Sequence, residues 1–277
     1  MQIDPSIFKA YDIRGVVDKT LTVEAARAVG QALGALALEK HIDTLCVGRD
    51  GRLSGPKLSE ALMEGITDMG VNVKSIGMTP TPVLYFATFL TETGSGVAVT
   101  GSHNPPEYNG LKMMMAKDTL YGEGIQALRT RIEKGIETAQ HKGQIEEIDV
   151  LTPYLSKVLG DVKLERTMKV AIDCGNGVTG PLAMELFKRL GCEVTPLYTE
   201  IDGHFPHHHP DPSKPANLAD LIETVKNSDV ELGLAFDGDG DRLGVVTKSG
   251  QIIYPDRQIM LFAADILKHN PGAPIIY

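Results

Sequence analysis

Apolar and polar positions alternate along this chain at two periods, and each change of period marks a change of element. From 22 to 40 the apolar side chains Val29, Leu33 and Leu36 recur at helical spacing, and Thr22 stands where an N-cap belongs. Residues 44–49, Thr-Leu-Cys-Val-Gly-Arg, form a short apolar run that reads as a buried strand. Residues 56–69 return to the helical period. Pro56 opens that segment, Leu58, Leu62 and Met69 share one face, and Gly70 closes it. Residues 71–76 and 96–100 predict two more strands. Strands alternating with helices predict three-layer α/β domains built on mixed, largely parallel sheets.

The pattern then repeats. Leu45-Cys46-Val47-Gly48 has a counterpart in Val170-Ala171-Ile172-Asp173, and Gly70-Val71-Asn72-Val73 in Gly191-Cys192-Glu193-Val194. Gly96-Val97-Ala98-Val99 and a polar loop are echoed by Leu232-Gly233-Leu234-Ala235 and another loop. Equal order and similar spacing predict two copies of one α/β unit. The polar stretch 135–149 separates them, which divides the chain into 1–149, 150–254 and a remainder, 255–277. That remainder resembles the start of a third, truncated copy. A helix over 256–269 carries Ile259, Phe262, Ala263 and Ile266 on one face, Asn270-Pro271-Gly272 stops it, and 274–277 reads as an opening strand. A helix and one strand cannot bury their own apolar face, so the sequence is expected to be a piece of a longer protein.

Composition narrows the function classes. The chain has 277 residues, 42% of them hydrophobic and 23% charged, with three cysteines and no tryptophan. No run approaches the roughly 18 apolar residues of a membrane span, and no basic-then-apolar leader opens the chain. The cysteines, Cys46, Cys174 and Cys192, are odd in number and scattered, the pattern of reduced thiols in the cytoplasm. A net charge of −9 and 5% aromatic residues argue against a nucleic-acid surface. An anionic ligand then needs a local concentration of Arg, Lys and backbone N–H groups. Monomer and dimer both remain open.

Two loops carry candidate chemistry. In Asp237-Gly238-Asp239-Gly240-Asp241-Arg242, three carboxylates spaced by glycines follow an apolar strand. Crowded carboxylates repel unless a cation joins them, and hard divalent cations take oxygen ligands. The alternative is a solvated acidic turn. An EF-hand is excluded, because the sixth position from Asp237 is Arg242 rather than Gly and the twelfth is Lys248 rather than Glu. Three protein oxygens suit Mg²⁺ sharing a phosphate better than caged Ca²⁺. The second loop, Thr100-Gly101-Ser102-His103-Asn104-Pro105-Pro106, puts Ser102 at the C-terminal edge of the sheet, where α/β proteins bind ligands. A Ser-His dipeptide is by itself usually structural, and no G-x-S-x-G elbow is present. The two loops end equivalent strands, however. If they face one another across a cleft, a phosphate on Ser102 completes the metal's oxygens, and Mg²⁺ stabilises charge on a transferring phosphoryl group.

These residues resemble the α-D-phosphohexomutase superfamily, and most closely its bacterial phosphomannomutase/phosphoglucomutase branch. The resemblance rests on Lys9-Ala10-Tyr11-Asp12-Ile13-Arg14-Gly15, the serine loop, Asn109-Gly110-Leu111-Lys112, Phe205-Pro206-His207-His208-His209-Pro210-Asp211-Pro212 and the aspartate loop. It implies a four-domain isomerase whose first three domains share one topology. Ser102 would be the phosphoserine, exchanging its phosphoryl group with a hexose 1- or 6-phosphate (mannose or glucose) through a hexose 1,6-bisphosphate. Asp237, Asp239, Asp241 and the Ser102 phosphate would hold Mg²⁺. Arg14, Lys112 and Arg242 would surround the phosphoryl group, His103 and Lys112 would be proton-transfer candidates, and Tyr11 would line the cleft. The family usually has Asn at the position of His207. Its sugar-selecting and distal-phosphate loops do not occur in these 277 residues, so weak mutase activity is expected of this length of chain.

Two other functions fit the same loops: a metal-dependent sugar-phosphate phosphohydrolase, and a non-catalytic phosphosugar-binding fragment. Among the remaining candidates, Arg49 and Arg52 read as braces for the serine loop rather than phosphate ligands. The three consecutive histidines read as a rigid loop at the junction of the first two units, since neighbours in a loop point apart and suit tetrahedral zinc poorly. Met113-Met114-Met115 reads as buried strand and Cys174 as a buried thiol.

Overall fold

The computed structural model describes residues 3–276. An edge strand, β1 (Ile13–Val16), precedes helix α1 (Val23–Glu39), whose start is set as expected: the Ala25 N–H donates to the Thr22 hydroxyl at 3.2 Å. There follow β2 (Thr44–Arg49), α2 (Gly55–Asp68), β3 (Asn72–Met78), α3 (Thr81–Leu90), β4 (Gly96–Val99), β5 (Tyr108–Met115), β6 (Asp118–Thr119), α4 (Glu123–Lys134) and β7 (Ile145–Glu147). These strands form one sheet in the order β1-β5-β4-β2-β3-β7, with β6 beside β5. Strands β4, β2, β3 and β7 run parallel, while β5 is antiparallel to β4, β1 and β6.

Alternation along the strands builds two apolar layers. Leu45, Val47, Val97 and Val99 face α1, α2 and α4, while Cys46 and Ala98 face α3 on the opposite side. Helices α1 and α2 approach closely because glycines meet at their crossing: a Cβ on Gly65 would lie 2.0 Å from the Arg27 carbonyl oxygen. Leu33, Leu58 and Leu62 are wholly buried in this layer, and each contributes roughly 1.5–3 kcal/mol by leaving water.

Helix α5 (Leu151–Asp161) leads into a second unit: β8 (Lys169–Asp173), α6 (Gly180–Arg189), β9 (Glu193–Leu197), α7 (Ala219–Asn227), β10 (Leu232–Phe236), β11 (Leu243–Thr247) and β12 (Ile252–Ile253). Its sheet order is β12-β11-β10-β8-β9. The segment β11-β10-β8-β9 reproduces β5-β4-β2-β3 of the first sheet, with the same parallel and antiparallel relations. Helix α7 covers one face and α6 the other. Tyr154 of α5 packs edge-on against Phe86 of α3 and shares a cluster with Leu182 of α6, which ties the units together.

Helix α8 (Pro255–His269) forms where the periodicity places it, yet its apolar side remains open: Phe262 is 50% exposed and Ile266 49%. The strand expected at 274–277 does not appear. Residues 273–276 have no regular structure, and Tyr277 lies outside the described residues. A strand needs a ladder partner, and no described strand lies beside this segment. Among the described residues, no helix is long and apolar enough to cross a membrane.

Candidate active site

Strands β4 and β10 are equivalent, and the loops leaving their C-terminal ends meet. Ser102 donates from Oγ to Asp237 Oδ2 at 2.9 Å, across 135 positions of sequence. The close approach depends on Gly238, where a Cβ would lie 2.3 Å from the Ser102 carbonyl oxygen. The Gly238 N–H in turn donates to Pro210 O at 3.2 Å, so the histidine-proline loop backs the aspartate loop.

The serine loop is held from beneath by a buried ion pair. Arg52, 1% exposed, donates from Nη2 to Ser102 O (2.9 Å) and Asn104 O (2.6 Å), and from Nη1 to Pro105 O (2.6 Å) and Tyr108 O (3.0 Å). Its Nε donates to Asp50 Oδ2 at 3.2 Å, and its guanidinium lies 5.1 Å from the centroid of the Phe205 ring. Asp50 also accepts from Arg52 N, Thr100 Oγ1 and Gly101 N. Burial pushes the Asp50 carboxyl up and the Arg52 guanidinium down, against their mutual attraction. The Asp50 carboxylate accepts four hydrogen bonds, two of them from Arg52, and these favour the ionised pair, while the Asp239 charge opposes it. Arg52 therefore braces the loop, as expected. Ser102 itself sits at φ +50°, a left-handed conformation that non-glycine residues seldom adopt, and this clamp maintains it.

In the aspartate loop both oxygens of Asp237 accept hydrogen bonds, whereas Asp239 and Asp241 each accept on one oxygen. Asp237 Oδ1 accepts the Asp241 and Arg242 N–H groups, both at 3.1 Å, which turns Oδ2 towards Ser102. Asp239 Oδ2 accepts from Thr81 Oγ1 (2.5 Å) and Lys112 Nζ (2.6 Å), and Lys112 also donates to Asp241 Oδ2 (2.5 Å). Asp239 Oδ1 is buried and has no hydrogen-bond partner. One oxygen from each of the three aspartates lies within 4.8 Å of the others. Hard oxygen donors at this spacing, one of them buried, anionic and unpartnered, fit a small divalent cation.

The charges reinforce that fit. Burial pushes the Asp237 carboxyl well above the usual carboxylate range, and the charges of Asp239 and Asp241 push it the same way. Burial acts likewise on Asp239, but Lys112 and the Thr81 hydroxyl outweigh it and hold that carboxyl low. Burial opposes the charge on Lys112, and Asp239 and Asp241 overcome it, so the ammonium is held firmly. His103 Nδ1 is 3.2 Å from Ser102 Oγ, and burial, then the nearby Arg242 charge, lower its pKa.

Ser102, His103, Lys112, Asp237, Asp239 and Asp241 thus converge on one place. The charges of Arg242 and Arg14 reach this cluster, and both lower the His103 pKa. Arg14 pairs with Asp12 at 2.5 Å, and Arg242 lies 4.0 Å from Asp211. Tyr11 stands apart: it is 79% exposed and makes no hydrogen bond to this cluster among the described residues. The histidines diverge as expected. His207 bonds Asn176 (2.8 Å) and stacks on Tyr198, whereas His208 Nε2 contacts Asp173 (2.9 Å). Cys174 is buried, and burial pushes its thiol up. Thr81 is the participant that sequence reasoning missed. Thr79-Pro80-Thr81-Pro82 signals a helix start, but nothing in it signals a partner at 239.

Comparison with known proteins gives the geometry its relatives. The phosphoglucomutase/phosphomannomutase alpha/beta/alpha domain I matches residues 5–142, and domain II of the same family matches 152–250. The chain belongs to the phosphoglucomutase/phosphomannomutase family. It is 58% identical to the phosphoglucomutase of Neisseria meningitidis serogroup B, over 98% of this chain and 59% of that protein. It is 56% identical to the phosphomannomutase/phosphoglucomutase of Pseudomonas aeruginosa PAO1, over 98% of this chain and 58% of that one. A crystal structure of a phosphoglucomutase/phosphomannomutase family protein from Burkholderia thailandensis superimposes with a TM-score of 0.94 at 53% identity, covering 98% of this chain and 61% of that one. The chain therefore spans about 59% of the length of the curated relatives it matches.

Proposed function

We propose that this chain carries the phosphoryl-transfer half of a phosphohexose mutase that interconverts hexose 1-phosphate and hexose 6-phosphate, of mannose, glucose or both. The single observation that carries the proposal is the 2.9 Å contact between Ser102 Oγ and Asp237 within a trio of carboxylates. The family relationship supports it; the division proposed with it is 1–149, 150–254 and 255–277, of which the first two units overlie the matches to domain I over 5–142 and domain II over 152–250.

In the proposed reaction Ser102 begins phosphorylated. A hydroxyl of the bound hexose phosphate attacks the phosphorus, the bond from phosphorus to Ser102 Oγ breaks, and a new phosphorus–oxygen bond gives hexose 1,6-bisphosphate. The attacking hydroxyl gives up its proton and Ser102 Oγ receives one. His103, 3.2 Å from that oxygen, is the better placed carrier, and Lys112 is the second candidate. After the bisphosphate turns over, Ser102 takes back the phosphoryl group from the other end of the sugar. Asp237, Asp239, Asp241 and the Ser102 phosphate would hold Mg²⁺, which supplies positive charge to the transferring group. Arg14, Lys112 and Arg242 surround that group, Arg52 holds the nucleophile's loop still, and Tyr11 would line the cleft. The partner is a small phosphosugar, neither nucleic acid nor membrane. The free cysteines fit a cytoplasmic setting.

Intact mass spectrometry tests the proposal. Incubation with hexose 1,6-bisphosphate should add about 80 Da at Ser102, and excess hexose monophosphate should remove it. Loss to water alone would identify a phosphohydrolase, and no phosphate under any condition would leave a binding role. Because the family's sugar-selecting loops are not among these 277 residues, a coupled mutase assay should fall far below the ~10 s⁻¹ typical of enzymes.

A further inference from the structure

Thr81 lies in the first unit, at the N-terminus of α3, and is 1% exposed. Its backbone N–H is one of the donors that a helix start leaves without an internal partner. Here that N–H donates to Asp239 O at 2.9 Å. The Thr81 hydroxyl donates to Asp239 Oδ2 at 2.5 Å, across 158 positions of sequence. One residue of the first unit therefore grips both the main chain and the side chain of one residue in the second.

The consequence is directional. Carboxylate oxygens are equivalent until something distinguishes them. With Thr81 and Lys112 both on Oδ2, the plane of the Asp239 carboxylate is fixed and Oδ1 is turned inward, buried and unpartnered. Lys112 alone does not select the oxygen, because it reaches across from β5 and shares its ammonium with Asp241. The hydroxyl is short, buried and on a rigid helix, so it sets the rotamer. The helix N-terminus adds a donor and partial positive charge to the same loop.

We infer that Thr81 is a positioning residue for divalent-cation binding: it holds Asp239 Oδ2 so that Oδ1 is presented to the ion. This rests on the metal reading above and adds a residue from the opposite unit, making ion affinity depend on how α3 seats against the aspartate loop. The same coupling runs in reverse, so a bound ion tightens the junction of the two units.

The test uses the 277-residue chain and Mn²⁺, whose free concentration is read from its electron paramagnetic resonance signal. Thr81→Val keeps the shape and the backbone contact but removes the hydroxyl, and should weaken Mn²⁺ binding about 10- to 100-fold, the range for partners that orient a metal ligand. Thr81→Ser restores the hydroxyl and should bind within about threefold of the unsubstituted protein. Thr81→Ala, which cannot crowd the site, should match Val. Circular dichroism melts of the metal-free proteins establish that each is folded. Equal affinity in the Val or Ala variant overturns the inference while leaving the metal reading intact. A Ser variant as weak as Val overturns it too, since the hydroxyl is then not the agent. An unsubstituted protein that binds no Mn²⁺ removes both.

Discussion

Replacing Arg52 with methionine tests how the Ser102 loop is held. The side chain is 1% exposed, pairs with Asp50 and donates to four backbone carbonyls between Ser102 and Tyr108. Methionine fills a similar volume but leaves the Asp50 charge buried and uncompensated. Breaking a buried pair in this way costs about 3–5 kcal/mol. The orphaned carbonyls add to that, at roughly 1–3 kcal/mol for each one water cannot reach. Whole domains are stable by only about 5–15 kcal/mol, so Arg52→Met should lose a large part of the first unit's stability. Urea denaturation followed by circular dichroism should show a loss of at least about 3 kcal/mol, together with failure of hexose bisphosphate to phosphorylate Ser102. Arg52→Lys keeps the charge but offers one donor group in place of a planar fork, and should recover less than half. The double variant Asp50→Asn/Arg52→Met should be more stable than Arg52→Met alone, because the buried charge has gone. A loss below about 1 kcal/mol in Arg52→Met would refute the clamp.

Gly238→Ala should push the two loops apart, since the added Cβ would meet the Ser102 carbonyl oxygen at 2.3 Å. Its expected signature is loss of Ser102 phosphorylation with a folded circular dichroism spectrum, and normal phosphorylation would contradict it. Asp239→Asn should abolish the melting-temperature rise produced by Mg²⁺, which for the unsubstituted protein corresponds to about 2.7 kcal/mol at a hundred times the dissociation constant. An unchanged rise would show that the ion binds elsewhere. His208 supplies a pH test. Burial opposes its charge, but hydrogen bonding and attraction to Asp173 prevail and raise its folded pKa. The resulting stabilisation is full below the ordinary imidazole value near 6.5 and fades as pH rises through the higher folded value. His208→Gln should therefore cost more at about pH 5.5 than at about pH 9 by urea midpoint, and an equal cost at both would contradict the pairing.

Much of this architecture is legible along the chain because local signals agree with tertiary ones. Thr22 caps α1 as its side chain allows, and the strand alternation at 45–47 and 97–99 matches the two helix layers that cover it. The repeat of short apolar runs is a repeat of sheet topology, and it places two polar loops at equivalent strand ends before any contact is known. The Ser102 and Asp237 loops were readable for that reason. Thr81 was not, because a threonine after proline reports only a helix start, and its partner lies 158 positions away. Gly238 shows in the sequence only as a spacer between two carboxylates, whereas its larger constraint is the backbone of another loop. The expected strand at 274–277 failed for a related reason: a strand is stabilised by its neighbour, and apolar side chains alone do not supply one.

The central claim is that the Ser102 side chain and the three aspartates share one divalent cation. Electron–nuclear double resonance on Mn²⁺ bound to the Ser102-phosphorylated protein measures this directly, through the ³¹P hyperfine coupling. A strong coupling that disappears in Ser102→Ala is the predicted result. Bound Mn²⁺ with no ³¹P coupling would contradict the claim, because the ion and the phosphoserine would then occupy separate sites.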